Sequence, residues 1–127
     1  MRVVTFRRRR TLRARTGVAD FFCDEVLTGK TAVEIIAESE RAVAYRHTRP
    51  EYPAHIVVIS RQHLPSLLES DDLSMQAELI QLVRHVAVDL VREYGACRVI
   101  ADIRAGGELG HLQWQVVAGD ESAAWPP

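Results

Sequence analysis

Three observations predict a single antiparallel α+β domain. Short segments rich in β-branched and aromatic residues follow one another in the first half of the chain, separated by brief polar connections. One long segment, ending at Gly95, repeats its apolar residues at helical spacing. From His111 to Val116 polar and apolar residues alternate, as in a strand with one buried face. A chain of 127 residues suits one such core, and a second core is not expected.

The expected elements follow in a simple order. Asp20 can cap a short helix that runs to about Thr28, and a single helical turn is expected near Leu64–Leu68. The long helix begins after Asp72 and covers roughly 22 residues, with an apolar stripe wide enough to cover a sheet and to contact a partner subunit. Five strands complete the predicted fold: residues 33–38, 42–47, 55–60, 97–103 and 111–117.

The first 19 residues are set apart by their charge. Seven arginines and no acidic residue fall within residues 1–15, so the remainder carries 9 basic and 17 acidic side chains, a net charge of −8. Repulsion and scarce apolar surface predict a flexible basic arm over residues 1–19, with Val3-Val4 able to pair at a sheet edge, ahead of a domain over residues 20–127. The acidic domain argues against nucleic acid as a partner, except through the arm.

Composition narrows the class of protein further. Hydrophobic residues make up 47% of the chain, and no apolar run approaches the roughly 20 residues of a membrane span. Cys23 and Cys97 have neither metal-ligand spacing nor the spacing of a disulfide framework, so both are expected to be packing thiols in a reducing cytoplasm. Neither a metal nor a cofactor is expected.

The alternating segment near the C-terminus is the candidate site. Its apolar residues are expected to face the core, and its polar residues the opposite side of the sheet. Three hydrogen-bonding side chains spaced roughly 7 Å apart on one strand face suit a ligand. They would also fit a solvated sheet face, and His55 would fit a core histidine. The core-facing set is Leu112, Trp114 and Val116, and the polar set is His111, Gln113 and Gln115.

Several stretches together resemble one known family. Residues 111–117 look like the motif His-x-His-x-His-x-x with its second and third histidines changed to glutamine. Residues 22–30 resemble the family's opening helix and turn, and residues 44–59 its prolines, histidine and buried strand. Arg61-Gln62-His63 and Trp125-Pro126-Pro127 match two further markers. These stretches span about 80% of the chain, which resembles the histidine triad superfamily and in particular its small nucleotide-binding branch.

The resemblance implies an α+β homodimer in which the long helix and the fourth strand form the interface and two sheets join into one. It also implies a purine nucleotide pocket near the alternating strand, although the same walls would suit other flat molecules. In the family the middle histidine attacks phosphorus and forms a nucleotidyl-imidazole, which water then hydrolyses; a neutral imidazole nitrogen can act as that nucleophile near neutral pH. The expected pocket walls and loop are Phe22, Tyr45, Gly107 and Trp125.

The positions that carry this chemistry are changed in the present chain. Gln113 stands at the nucleophile position, and an amide nitrogen is neither nucleophilic nor basic. Gln115 cannot carry a proton as the third histidine would. His47 replaces the aspartate that binds the ribose hydroxyls, and Asp102 adds negative charge near the expected phosphate. The residues retained from the family's polar set are His111 and His55.

Three functions are compatible with these changes. The first is a protein that binds a nucleotide or a related small molecule without covalent catalysis, with Gln113 and Gln115 as hydrogen-bond donors. The second is an enzyme refitted for acid/base chemistry on another substrate, with a new catalytic set. The third is an interaction protein that uses the dimer surface and the arginine arm. The catalytic set of the second function would be His47, His55, Asp102 and His111.

Overall fold

The chain forms a six-stranded antiparallel sheet with one long helix on one face, as seen in a computed structural model. The structure describes the backbone of residues 4–10 and the chain over residues 32–64, 67–69, 71–103 and 111–119. The helix is α1 (Leu73–Tyr94), and a 3-10 turn, Leu67–Glu69, precedes it. The strands are β1 (Val4–Arg10), β2 (Val33–Glu38), β3 (Ala42–Arg46), β4 (Ala54–Ser60), β5 (Arg98–Ile100) and β6 (Gln113–Ala118). Their order in the sheet is β1-β2-β3-β4-β6-β5.

The predicted fold class is confirmed, with small shifts in the limits of the elements. β2 has its predicted limits, and the 22 residues of α1 agree with the predicted long helix. β5 is shorter than predicted, with three residues in place of seven. β6 begins at Gln113, so His111 and Leu112 precede the strand in which they were expected. The short helix predicted from Asp20 to Thr28 lies outside the described residues.

The sixth strand, β1, corrects part of the prediction for residues 1–19. Residues 4–10 pair with β2 at the edge of the sheet, where a flexible arm was expected beyond Val3-Val4. The strand pairs in spite of its run of arginines because backbone hydrogen bonds form irrespective of side-chain charge. The register places the backbone of Arg9 opposite Glu34 and that of Arg10 opposite Val33.

Both ends of α1 carry the residues that the sequence predicts. Asp72 caps the first turn, where its carboxylate accepts a hydrogen bond from the backbone N–H of Met75 at 3.0 Å. That bond, with those from Ser74 and Arg41, lowers the pKa of Asp72 to about 2. Gly95 ends the helix at a φ of 85°, and its N–H donates to the carbonyl of Val91 at 2.8 Å. This left-handed conformation favours glycine.

The two faces of the sheet differ in what they bury. The face under α1 is rich in small residues, since Ala37, Ala44 and Ala54 let the helix approach closely. Leu112, Val116 and the half-buried Trp114 pack on this face, which confirms the core side predicted for the alternating segment. β4 is buried on both faces, as expected for its apolar sequence. Buried residues of the second face are Val33, Ile35, Val43, Tyr45, Val57, Ile59 and Val117.

The N-terminal half of α1 is fastened to the turn between β2 and β3. The carboxylate of Glu78 accepts hydrogen bonds from the Ser39 hydroxyl and from the backbone N–H of Arg41, both at 2.6 Å. The guanidinium of Arg41 in turn binds Asp72 at 2.6 Å. These contacts fix the helix against the strands that support the candidate site.

Two further predictions concern the membrane and the cysteines. Within the residues described, no helix combines the length and apolar character that crossing a bilayer requires. Cys97 is a free thiol packed against the core, as predicted, and its burial raises the pKa of the thiol. Cys23 lies outside the described residues.

Candidate functional site

The candidate site lies on the second face of the sheet, where β4 and β6 pair. The register places His55 opposite Val117, Val57 opposite Gln115 and Ile59 opposite Gln113. Directly opposed residues in a sheet share a face, and so do residues two apart along a strand. His55, Gln113 and Gln115 therefore lie on the same face as the buried Val57 and Ile59.

His55 is the most deeply buried polar residue of this group. Only 2% of its surface is exposed. Its Nδ1 lies 3.1 Å from the backbone N–H nitrogen of Glu51, and its Nε2 lies 2.6 Å from Oε1 of Gln115. Both ring nitrogens thus have protein partners, which satisfies the buried imidazole.

The two glutamines extend this chain of contacts along β6. Nε2 of Gln115 lies 3.5 Å from Oε1 of Gln113, a long contact between side chains two residues apart. Both glutamines are half-buried. Within the described part of the chain, no group accepts a hydrogen bond from Nε2 of Gln113. The carboxamide at position 113 therefore has donor capacity to offer to a bound molecule.

His47 lies directly beside His55. The two rings stack with their centroids 4.3 Å apart at an angle of 29°, and Tyr52 meets His55 edge-on at 5.5 Å. Nδ1 of His47 accepts a hydrogen bond from the backbone N–H of Arg49 at 2.9 Å. Burial and then the neighbouring His55 lower the pKa of His47, whereas Glu51 acts in the opposite direction. The neutral imidazole is thereby favoured.

His111 is placed at the other end of β4. Its Nε2 lies 3.0 Å from the backbone oxygen of Ser60 and 3.4 Å from the Ser60 hydroxyl, and its ring meets His63 edge-on at 5.3 Å. The Leu112 N–H donates to the carbonyl of Leu64 and holds this segment in place. Ser60 is five residue steps from His55, which places the two residues about 17 Å apart along β4.

The predicted site residues are therefore only partly brought together. His47, His55, Gln115 and Gln113 form one connected group, which we call the His55 cluster. His111 belongs to a separate contact set with Ser60 and His63. Asp102 is exposed and follows the end of β5, and Tyr45 is 2% exposed, with a phenol pKa raised above its usual range by burial. Phe22, Gly107 and Trp125 lie outside the described residues.

Sequence reasoning missed the contribution of the loop between β3 and β4. The backbone N–H groups of Arg49 and Glu51 donate to the two histidines, and the Tyr52 ring packs on His55. The prolines at 50 and 53 indicated a stiff loop, but backbone donors carry no signature in the sequence. Ser60 was missed for the same reason, because its main-chain oxygen is what binds His111.

A possible metal site and a groove on the other face of the sheet were the remaining candidates for a ligand site among the described residues. Among the described residues, no group of three or more histidine, cysteine, aspartate and glutamate side chains could hold a metal ion. A groove of about 160 Å³ lies on the opposite face, where Arg46, Asp89, Glu93 and Tyr94 surround an apolar floor. It contains none of the His55 cluster, so the site is defined by its polar side chains and not by this groove.

Comparison with known proteins identifies the family and agrees with the fold. The family model of the HIT domain matches residues 28–122, which includes the whole sheet except β1. The chain therefore belongs to the HIT, or histidine triad, family.

Two relatives support this membership at the sequence level. The chain is 29% identical over 111 residues to an uncharacterized HIT-like protein of Synechococcus elongatus, a match that covers 85% of this chain and 96% of that protein. It is 25% identical over 99 residues to an uncharacterized HIT-like protein of Chlamydia muridarum, covering 76% of this chain and 79% of the relative.

Solved structures show the same fold. A HIT family hydrolase from Legionella pneumophila superposes with a TM-score of 0.65 at 20% identity, over 81% of this chain and 95% of that one. A HIT family hydrolase from Clostridium thermocellum gives a TM-score of 0.67, also at 20% identity, over 81% and 91% of the two chains. At this identity the likeness concerns the fold.

Proposed function

We propose that this HIT-family chain binds a nucleotide or a nucleotide-related small molecule and does not transfer its nucleotidyl group. The family and the fold supply the nucleotide as the first ligand to consider. The absence of nucleotidyl transfer is inferred from the side chains of residues 111–117, whose pattern matches the triad motif except at two positions.

The main support for this proposal is the glutamine at position 113. The middle position of the motif holds a carboxamide, whose nitrogen has no available lone pair for attack on phosphorus. Alternation along β6 places this side chain on the same face as Gln115 and His55. A donor on that face can hold a phosphate oxygen, but it cannot form a phosphoramidate. The bound molecule therefore leaves the site unchanged.

The alternative is an enzyme that uses His47, His55, Asp102 and His111 on a different substrate. The stacked pair of His47 and His55 favours it, because two neighbouring imidazoles could share acid and base roles. The separation of His111 from this pair argues against a single four-residue set. Abolition of turnover by His47→Ala, with any substrate, would favour this alternative over simple binding.

A thermal-shift screen tests the binding proposal. Adenosine and guanosine monophosphates are compared with non-nucleotide metabolites, for the wild-type chain and for Gln113→Ala. A ligand at about 100 times its dissociation constant should stabilise the wild type by about 2.7 kcal/mol. Gln81→Ala, a change of the same kind on the exposed side of α1, should keep that gain. If no nucleotide raises the unfolding temperature of the wild type, the proposal fails.

The same proposal includes a homodimer. α1 carries an exposed apolar stripe, since Leu73, Ile80, Val88 and Val91 repeat at intervals of one or two helical turns. Val99 of β5 is exposed on the same side of the sheet, opposite the buried Val116. Within the described residues β5 ends the sheet order, so a second copy could pair there and continue the sheet.

Sedimentation distinguishes the dimer from a monomer. Val91→Asp places a charge in the stripe and should yield monomers, whereas Leu68→Asp, at another exposed leucine outside α1 and β5, should leave the dimer intact. A wild-type chain that sediments as a monomer at micromolar concentration would refute this part.

The cytoplasmic location is likewise a proposal, based on cysteines that lack disulfide-framework spacing.

A further inference from the structure

The backbone of the loop between β3 and β4 determines which nitrogen of His55 carries the proton. A main-chain N–H can only donate, so Nδ1 of His55 must accept the hydrogen bond from Glu51 at 3.1 Å. In the neutral imidazole the other nitrogen is then protonated. Nε2–H therefore donates to Gln115, and the partner atom at 2.6 Å must be the carboxamide oxygen.

This assignment also fixes the orientation of the Gln115 amide. If the Gln115 amide were reversed, its NH2 group would oppose the Nε2–H of buried His55, and two donors would face each other without an acceptor. With its oxygen committed to His55, Gln115 presents its nitrogen to Oε1 of Gln113 at 3.5 Å. The series of hydrogen bonds that starts at Glu51 ends at Nε2 of Gln113, which is a donor only.

We propose that His55 is a positioning residue that sets the hydrogen-bond direction of Gln115 and Gln113, so that position 113 offers N–H groups to an acceptor oxygen of the bound molecule. This inference rests on the proposed binding function and makes it more specific. The acceptor that matches such a donor best is an oxyanion, as in a phosphate ester, because a charged acceptor gives the stronger hydrogen bond. A ligand that presents a donor at this point is disfavoured.

The proton position can be measured directly on the full chain. In ¹⁵N NMR spectra at neutral pH, His55 should show an unprotonated Nδ1 and a protonated Nε2. The same assignment is expected in Gln115→Met, because Glu51 and not Gln115 determines the tautomer. A proton on Nδ1 of His55 in the wild type would overturn the inference, since Gln115 would then have to present its nitrogen to His55.

Binding measurements test the consequence at position 113. Adenosine monophosphate and adenosine differ in the phosphate, so their affinity ratio reports the oxyanion contact. Gln115→Met keeps the side-chain length but breaks the hydrogen-bond relay from His55 through Gln115 to Gln113. It should lower the affinity for the monophosphate about tenfold and change the affinity for adenosine less than twofold. Gln81→Met, on the exposed side of α1, should leave both affinities as in the wild type.

The outcomes separate the two proposals. An unchanged affinity ratio in Gln115→Met, with the wild type binding both compounds, would overturn the relay alone. Failure of the wild type to bind either compound would overturn the proposed function and the relay with it. A tenfold loss confined to the monophosphate, together with the proton on Nε2, supports the inference.

Discussion

The two ends of the β4–β6 pair use histidine in different ways. At the Ser60 end, His111 binds a main-chain oxygen and packs against His63. At the His55 end, the imidazole connects a loop N–H to two carboxamides that lead to a half-buried position on the strand face. Retention of the motif histidine His111 therefore does not by itself show that its ring faces a ligand. What each ring nitrogen binds is the better guide.

Removal of His111 should have the largest effect on stability. His111→Ala deletes the ring of a buried residue, which is 6% exposed, and leaves the Ser60 carbonyl without this donor. The free energy of unfolding should fall by about 2–3 kcal/mol, measured by urea denaturation. The ligand-induced gain in stability should persist, because the His55 cluster does not include this residue. If ligand binding disappears while the fold remains stable, the two ends do not differ as described.

Gln113→Ala should weaken ligand binding and leave stability nearly unchanged. The side chain is half-buried and, among the described residues, its amide makes one long contact. The unfolding free energy of the free protein should therefore change by less than about 1 kcal/mol. The stabilisation by a saturating nucleotide should fall by about 1.4 kcal/mol, which corresponds to a tenfold weaker affinity. Denaturation with and without ligand measures both quantities. A large loss of stability without ligand would indicate a structural role for Gln113.

Replacement of His47, at the His55 end of β4, should have a smaller effect on stability that depends on pH. Its pKa in the folded chain lies below the ordinary value of 6.5, first because of burial and then because of His55. The unfolded chain therefore binds the proton more readily, so this contribution is complete above pH 6.5 and is lost as the pH falls through the folded pKa. The unfolding temperature should decline less steeply below pH 6.5 in His47→Asn than in the wild type.

The control for this pH effect is Gln81→Asn. Gln81 is exposed on α1, outside the His55 cluster, and has no titratable group, so its replacement should preserve the wild-type decline. Equal slopes for His47→Asn and the wild type would show that His47 does not contribute to the acid sensitivity.

Much of the fold was readable because periodicity reports burial directly. The limits of β2 and the capping residues of α1 agree with the structure, since hydrophobic spacing, Asp72 and Gly95 act locally. β1 was not expected in full, because its pairing depends on the backbone of β2 and not on its own arginine-rich sequence. Polar alternation correctly indicated which face of β6 packs under α1.

The candidate site was readable only in part. Motif resemblance located Gln113 and Gln115, but it could not show that Gln115 is bound by His55, 60 positions earlier in the chain. It also grouped His111 with His47 and His55, although distance along β4 separates them. Such groupings depend on strand register and on loop backbone atoms, and neither is encoded in a short motif.

The central claim is that the scaffold binds a nucleotide without attacking it, and ³¹P NMR of an adenosine phosphoramidate mixed with a stoichiometric amount of protein tests it most directly. We expect the phosphorus resonance to broaden or shift as the compound binds, with no resonance of adenosine monophosphate appearing. Appearance of that product in the wild type, and its absence with Gln113→Ala, would contradict the account.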